Sequence, residues 1–365
     1  MKVINVVGAR PNFMKVAPLH RAFSRFPEIH SIVVHTGQHS DACMSDVFLE
    51  QLKMPPPDYL LRLSAASATC QFSEIMTGFE KILQKEKPDL VLVAGDVNST
   101  LACALAASKA DIPVAHVEAG LRSGDRSMPE EINRILTDAL SAHLFVTEPS
   151  AVQNLLLENV PMQKIHLVGN VMIDSLIGIT GSWCPESATN ISEQSRYILW
   201  TMHRPSNVDT EVMLTKMLAM ITHLARRWTV LFPVHPRTMK NLCTFGLADQ
   251  LCSIRNVQVL PPQGYMEFLK LMTGAMVVVT DSGGVQEETT FLQIPCITLR
   301  ESTERPVTVE RGSNLLLYPF DEKRIEDNIA AIQQGLWKKG SIPEYWDGRT
   351  AERIVSILKA QYLNL

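Results

Sequence analysis

Short continuous runs of apolar residues, each followed by a turn and then a helix-like stretch, recur along the whole chain. In the first half they are KVINVVG (2–8), SIVVHT (31–36), DLVLVAG (89–95), IPVAHV (112–117), HLFVT (143–147) and IHLVG (165–169). In the second half they are YILWTM (197–202), TVLFPV (229–234), VQVL (257–260), MVVVTD (276–281), PCITL (295–299) and NLLL (314–317). Apolar runs of this length, without alternation, suit parallel strands covered on both faces. Stretches such as STLACALAASKA (99–110) and PEEINRILTDALSA (129–142) read as the helices between them. Alternating β and α segments in two sets predict two doubly wound, Rossmann-like α/β domains. The polar, turn-rich segment GITGSWCPESATNISEQSR (178–196) is the linker candidate, so the first domain is expected to span 1–177 and the second to begin at 178.

The polar residues that interrupt this pattern cluster at strand ends. Arg10 and Lys15 follow the first run, Asp96 the third and Glu118 the fourth. His203 and His235 follow the first two runs of the second half, and Asp281, Ser282, Gly283 and Gly284 follow the fourth. In open parallel sheets the carboxyl edge is where ligands bind. Glu118 poses the sharpest question. It opens HVEAGLRSGDRSMPEE (116–131), which holds four carboxylates, and it emerges directly from an apolar run. An unpaired charge in such surroundings costs several kcal/mol. Either it is a structural ion paired with Arg122 or Arg126, or it is kept there to move a proton.

Composition narrows the function classes. Of 365 residues, 46% are hydrophobic and 20% charged, ordinary values for a globular protein, and the length fits two domains. A net charge of −4 offers no general attraction to nucleic acid or to anionic membrane, so any anion binding must be local. Seven cysteines, none in a CxxC pair, argue against a zinc ribbon or a disulfide framework and for a reducing cytoplasm. No run approaches the ~18 apolar residues of a membrane helix, and the opening MKVINVVGARP is too short an apolar stretch for a signal peptide.

Two motifs point to an anion. GARPNFMKVAP (8–18) reads as strand, tight turn and helix, with Gly8 expected in a turn conformation closed to other residues and with Arg10 and Lys15 near a helix N-terminus. It is neither GxxxxGK[ST] nor GxGxxG. TDSGGVQEETT (280–290) ends a buried strand in Asp-Ser-Gly-Gly before a helix, so backbone N–H groups can approach a phosphate. Ser282 either donates to that phosphate or caps the helix. Glu287 and Glu288 either complement the dipole from the first turn or accept hydrogen bonds from ribose. In PPQGYMEF (261–268), Gln263 and Phe268 could contact and stack on a base, although an aromatic at a helix start is commonly core. HTGQH (35–39) is a loop, a poor metal site. His203 and Arg204 in TMHRPSN, and Arg305 in ESTERPVT, would offset charge on a leaving group, or Arg305 would pair with Glu301 or Glu304.

Taken together, GARPNFMK, TGQH, LVLVAGDVNSTLA, HVEAGLRSGDRSMPEEINRILTD, HLVGNVMID, MHRPSN, PVHPR, TDSGGVQEE and ESTERPV resemble the non-hydrolysing UDP-N-acetylglucosamine 2-epimerases, in order and almost from end to end. The resemblance implies a glycosyltransferase-B-like fold of two Rossmann-like domains with the active site in the interdomain cleft. It also implies that the last helix, about 347–365, packs back on the first domain and that the second domain closes at 346. It implies interconversion of UDP-GlcNAc and UDP-ManNAc by a homodimer, without metal, nicotinamide or other cofactor. Asp96, Glu118, Glu130 and His203 match the family's catalytic residues. Arg10, Lys15, Arg134, His235, Gln263, Phe268, Ser282, Gly283, Gly284, Glu288 and Arg305 match its substrate and UDP contacts. Gln38-His39-Ser40-Asp41 departs from the Gln-His-X-Gln pattern that some members link to activation by UDP-GlcNAc. The SMPEEINR stretch resembles a branch that also acts on UDP-2,3-diacetamido-2,3-dideoxyglucuronic acid. A hydrolysing epimerase, a glycosyltransferase of the same architecture and a non-enzymatic nucleotide-sugar sensor are the other readings.

Overall fold

A computed structural model describes residues 1–38, 49–50, 52–64, 67–181 and 197–363. His39, the rest of the 39–41 pattern and most of the linker candidate lie outside the described residues. The chain divides into two units, Met1–Gly181 with Glu344–Leu365, and Ser182–Pro343.

The first unit is built on β1 (Lys2–Val7), β2 (His30–His35), β3 (Tyr59–Leu60), β4 (Leu90–Ala94), β5 (Val114–Ala119), β6 (His143–Val146) and β7 (Ile165–Leu167). These pair in the order β3-β2-β1-β4-β5-β6-β7, all parallel. Its helices are α1 (Arg10–Phe23), α2 (Ala68–Glu86), α3 (Asn98–Lys109), α4 (Pro129–Leu140), α5 (Pro149–Leu157) and α6 (Val171–Thr180). The two-residue β3 has no counterpart in the apolar pattern, because it is too short to leave one. β4 and β5 are buried at every position, as strands covered on both faces must be. Ile4, Val6, Ile32, Val34, Val91 and Val93 pack against Ile75, Phe79 and Ala107.

The second unit repeats the plan with β8 (Tyr197–Thr201), β9 (Thr229–Pro233), β10 (Val257–Leu260), β11 (Val277–Thr280), β12 (Cys296–Thr298) and β13 (Asn314–Leu316), ordered β10-β9-β8-β11-β12-β13 and again all parallel. Its helices are α7 (Pro205–Val208), α8 (Glu211–Ala225), α9 (Pro236–Thr244), α10 (Ala248–Ser253), α11 (Tyr265–Thr273), α12 (Gly283–Leu292), α13 (Pro306–Glu310) and α14 (Glu322–Gln333). Trp200 and Phe232 lie in its core among Met217, Leu218 and Ile221.

Six helices, α1, α4, α5, α7, α9 and α13, carry proline in their first two positions. Proline's fixed φ is preset for a helix, and its missing N–H is one the first turn leaves unbonded anyway. The chain can therefore turn sharply from strand to helix, which keeps strand-end side chains at the sheet edge. The last helix, α15 (Thr350–Tyr362), packs on α1 and α6 of the first unit. Asp174 accepts from its first amides, Thr350 N–H at 3.2 Å and Ala351 N–H at 2.7 Å, and buried Trp346 donates to the Thr147 carbonyl at 3.1 Å.

Candidate active site

Both sheets reverse their strand order once, between β1 and β4 and between β8 and β11. The carboxyl ends that flank such a switch point splay apart and leave a crevice for ligands. The strand-end residues singled out above gather at these two places.

At the first switch point, Gly8 leaves β1 and Gly95 leaves β4. Gly8 lacks the positive φ expected of it; a Cβ there would lie 2.2 Å from Ser99 Oγ, so close approach is what requires glycine. Arg10 is the exposed first residue of α1, and Lys15, one turn further on, is buried. Lys15 Nζ lies 2.6 Å from Glu118 Oε2, with the two side chains 9% and 2% exposed. The partner of Glu118 is thus neither Arg122 nor Arg126. Arg122 instead binds Glu158 through two 2.7 Å hydrogen bonds and Asp138 at 2.7 Å. Helix α1 brings Lys15 across from the other side of the switch point, a contact between strands distant in sequence.

Glu118 interrupts the β5–β6 register, which shifts between Val117 and Ala119, and its φ is 72°. A bulge in the left-handed region costs a non-glycine residue roughly 1–3 kcal/mol and re-aims its side chain. Asp96 is part-exposed and receives Arg134 Nε at 3.0 Å; Arg134 is itself 1% exposed. Asn133 donates to the Asp96 carbonyl at 2.8 Å. Glu130 is half-buried in the first turn of α4 and makes no hydrogen bond or ion pair among the described residues. Its neighbour Glu131, one of the four carboxylates of the 116–131 stretch but not singled out, is the structural acid. It pairs with Arg134 and accepts from the Ser123 and Gly124 amides at 2.9 and 3.0 Å.

At the second switch point, Asp281 follows β11 and is wholly buried. It accepts from the His203 and Arg204 amides (3.0 and 2.8 Å) and from Asn207 Nδ2 (3.0 Å), and lies 3.2 Å from His203 Nδ1. Burial pushes its carboxyl up, but these hydrogen bonds outweigh burial and hold it below the usual carboxylate range. Asp281 is therefore the group that orients His203, whose side chain is one-third exposed. The His235 ring lies 5.1 Å from that of His203. Its Nδ1 accepts from the Arg237 amide at 3.2 Å, and burial with the nearby His203 pushes its pKa down.

Ser282 is the N-cap of α12, yet its side chain makes no capping bond, so capping does not explain it. A Cβ on Gly283 would lie 2.7 Å from Arg305 Nη1, whereas one on Gly284 would meet nothing within 4 Å. Arg305 is buried, with Nε 2.7 Å from Glu287 and Nη1 2.9 Å from Glu304. Glu287 and Glu288 do not lie in the first turn of α12, which begins at Gly283 and has no acid there. Both are buried, so the dipole role fails. Glu288 accepts from Tyr265 Oη at 2.9 Å, and burial pushes its pKa up to about 7. Tyr265, unmarked in the sequence, precedes Phe268 by one turn. Phe268 is half-buried, and Gln263 donates to the Pro261 carbonyl at 2.7 Å. Among the described residues no group of three or more His, Cys, Asp or Glu is placed to hold a metal ion, and no helix is long and apolar enough to cross a membrane.

These two edges can be compared with known proteins. The family model described as UDP-N-acetylglucosamine 2-epimerase matches residues 21–359. The UDP-N-acetylglucosamine 2-epimerase of Methanocaldococcus jannaschii is 41% identical, over 98% of this chain and 99% of its own. The UDP-2,3-diacetamido-2,3-dideoxy-D-glucuronate 2-epimerase of Pseudomonas aeruginosa is 39% identical over 98% and 99%. The crystal structure of the Methanocaldococcus jannaschii UDP-GlcNAc 2-epimerase in complex with UDP-GlcNAc and UDP superimposes with a TM-score of 0.85 at 40% identity, covering 99% of this chain and 100% of that one. The glycosyltransferase-B-like fold, with one unit on a seven-stranded and one on a six-stranded parallel sheet, is therefore shared with a solved 2-epimerase, and the chain belongs to the UDP-N-acetylglucosamine 2-epimerase family.

Proposed function

We propose that the enzyme interconverts UDP-GlcNAc and UDP-ManNAc by eliminating and re-adding UDP. The C2–H of the sugar is barely acidic, because no carbonyl is conjugated to it. Breaking the C1–O bond gives C1 oxocarbenium character and acidifies that proton. A carboxylate takes it, the C2–H electron pair becomes the C1=C2 bond of 2-acetamidoglucal, and UDP departs as the anion. Protonating C2 from the opposite face while a UDP oxygen returns to C1 gives the epimer.

The chemistry asks for acids at C2 and for cations and amides at the diphosphate. The single observation that carries the reading is that each switch point holds one of these sets. Asp96 and Glu118 stand at the first, with Glu130 on the neighbouring helix, and Arg134 and Lys15 fix two of the three. At the second, Ser282 with its side chain uncommitted to capping, Gly283, Gly284 and buried Arg305 suit the diphosphate. His203, oriented by Asp281, suits the departing phosphate oxygen. Arg10 and His235 complete the UDP-sugar contacts, with Gln263 and Phe268 at the base and Glu288 at the ribose. The 39% identity to the Pseudomonas aeruginosa enzyme supports a second reading, a 2-epimerase of a diacetamido uronate. We also propose a homodimer in the cytoplasm, which sedimentation and cell fractionation test.

The deciding experiment is incubation with UDP-GlcNAc in D2O, followed by NMR. UDP-ManNAc carrying deuterium at C2 is expected. Free ManNAc with UDP would instead show a hydrolysing enzyme, and no turnover of UDP-GlcNAc with turnover of the diacetamido uronate would establish the second reading.

A further inference from the structure

One buried pair that the reaction above does not use ties together the loops bearing its acids. His116, on β5, is wholly buried, with Nδ1 2.6 Å from Asp138 Oδ1 and Nε2 2.8 Å from the Gly95 carbonyl. Gly95 immediately precedes Asp96. The other oxygen of Asp138 accepts from the Gly120 amide at 3.1 Å, two residues beyond Glu118, and faces Arg122 at 2.7 Å. Asp138 itself sits near the end of α4, whose first turn carries Glu130. The strand ends with Asp96 and Glu118 and the helix with Glu130 thus meet on one imidazole–carboxylate pair. Burial pushes the Asp138 carboxyl up, but His116 and then Arg122 outweigh it and hold the group below its usual range.

We infer that His116 and Asp138 are positioning residues that hold the Asp96 and Glu118 loops in register for proton transfer. One residue among the segments they hold needs holding: Glu118, a non-glycine residue, has a φ of 72°. Such backbone persists only where its surroundings over-determine it. Both nitrogens of His116 are engaged, Nδ1 with Asp138 and Nε2 with the Gly95 carbonyl, so neither is placed to take a proton from substrate. Its influence passes through Gly95. A buried ion pair is a weak source of net stability compared with apolar packing, but it defines a geometry. Misplacing a reacting group by about 1 Å costs on the order of 10²-fold in rate.

This inference rests on the proposed epimerisation, and two variants separate the failure of one from the failure of the other. The amide of His116→Gln reaches the position of Nε2 and retains a donor to Gly95. The amide of His116→Asn lies near Nδ1 and loses it. In steady-state epimerisation, kcat should fall on the order of 10²-fold in the Asn variant and much less in the Gln variant, with KM within about threefold in both. Amide hydrogen exchange across 93–98 should rise only in the Asn variant. Equal kcat losses in both, no loss in either, or a rise in KM matching the fall in kcat/KM would each overturn the positioning role. If the parent enzyme does not turn over UDP-GlcNAc, the functional reading fails, and the exchange data alone decide whether His116 holds the Asp96 loop.

Discussion

Replacing Glu118 by glutamine removes one charge from a pair whose side chains, Lys15 and Glu118, are 9% and 2% exposed. Losing one partner of a buried ion pair costs roughly 3–5 kcal/mol, because the other charge is left uncompensated. The amide oxygen still faces the Lys15 ammonium, which returns about 1 kcal/mol. The left-handed backbone at 118 is strained in both proteins, so that strain cancels. A net destabilisation of about 2–4 kcal/mol follows, roughly a 5–15 °C fall in the melting temperature of a unit this size. Lys15→Met in the glutamine background removes the orphaned cation and should restore most of the loss. Denaturant unfolding of parent, both single variants and the double variant closes the cycle, with an expected coupling of at least ~2 kcal/mol. Coupling below about 0.5 kcal/mol would refute the argument that the pair is energetically closed off from solvent. Deuterium incorporation at C2 adds the catalytic half: the double variant should be stable yet unable to exchange. Parent-like exchange would remove Glu118 from proton transfer whatever its stability.

Glu288 supplies a pH dependence. With its pKa near 7, UDP affinity should fall as pH drops through about 7, where the carboxylate gains a proton and loses acceptor capacity. Tyr265→Phe deletes a hydrogen bond that favours the carboxylate, so calorimetric titration with UDP should show the inflection moved to higher pH; an unmoved inflection contradicts the assignment. Asp174 acts on stability instead. Burial raises its pKa to about 6, so the folded state binds this proton more tightly than the unfolded chain does. Its contribution is therefore fully present below the unfolded value and lost as pH rises from about 4 through about 6, on the order of 2–3 kcal/mol. Asp174→Asn should flatten urea midpoints across that window. Gly283→Ala places a methyl 2.7 Å from Nη1 of the buried Arg305, and should raise the Kd for UDP at least ~10-fold. An unchanged Kd would take Arg305 out of the binding site.

The alternation of apolar runs and helical stretches was enough to predict every strand but β3, the parallel pairing and the placement of Asp96, Glu118, His203 and Asp281 at strand ends. These are properties of a few consecutive residues, and backbone periodicity and turn chemistry act at that range. Choice of partner does not. Lys15 rather than Arg122 or Arg126 meets Glu118 because β1 lies beside β4 in the sheet, and α1 leaves β1 at that seam. Glu131 rather than Glu130 is buried against Arg134, although the two acids are adjacent in the same turn, since only one of them faces the core side of α4. Tyr265 reaches Glu288, and His116 reaches Gly95 and Asp138, across separations that no local pattern records. Apolar periodicity is thus written along the chain, while the ion pairs and hydrogen bonds that set each acid's charge and aim exist only once distant strands have been laid side by side.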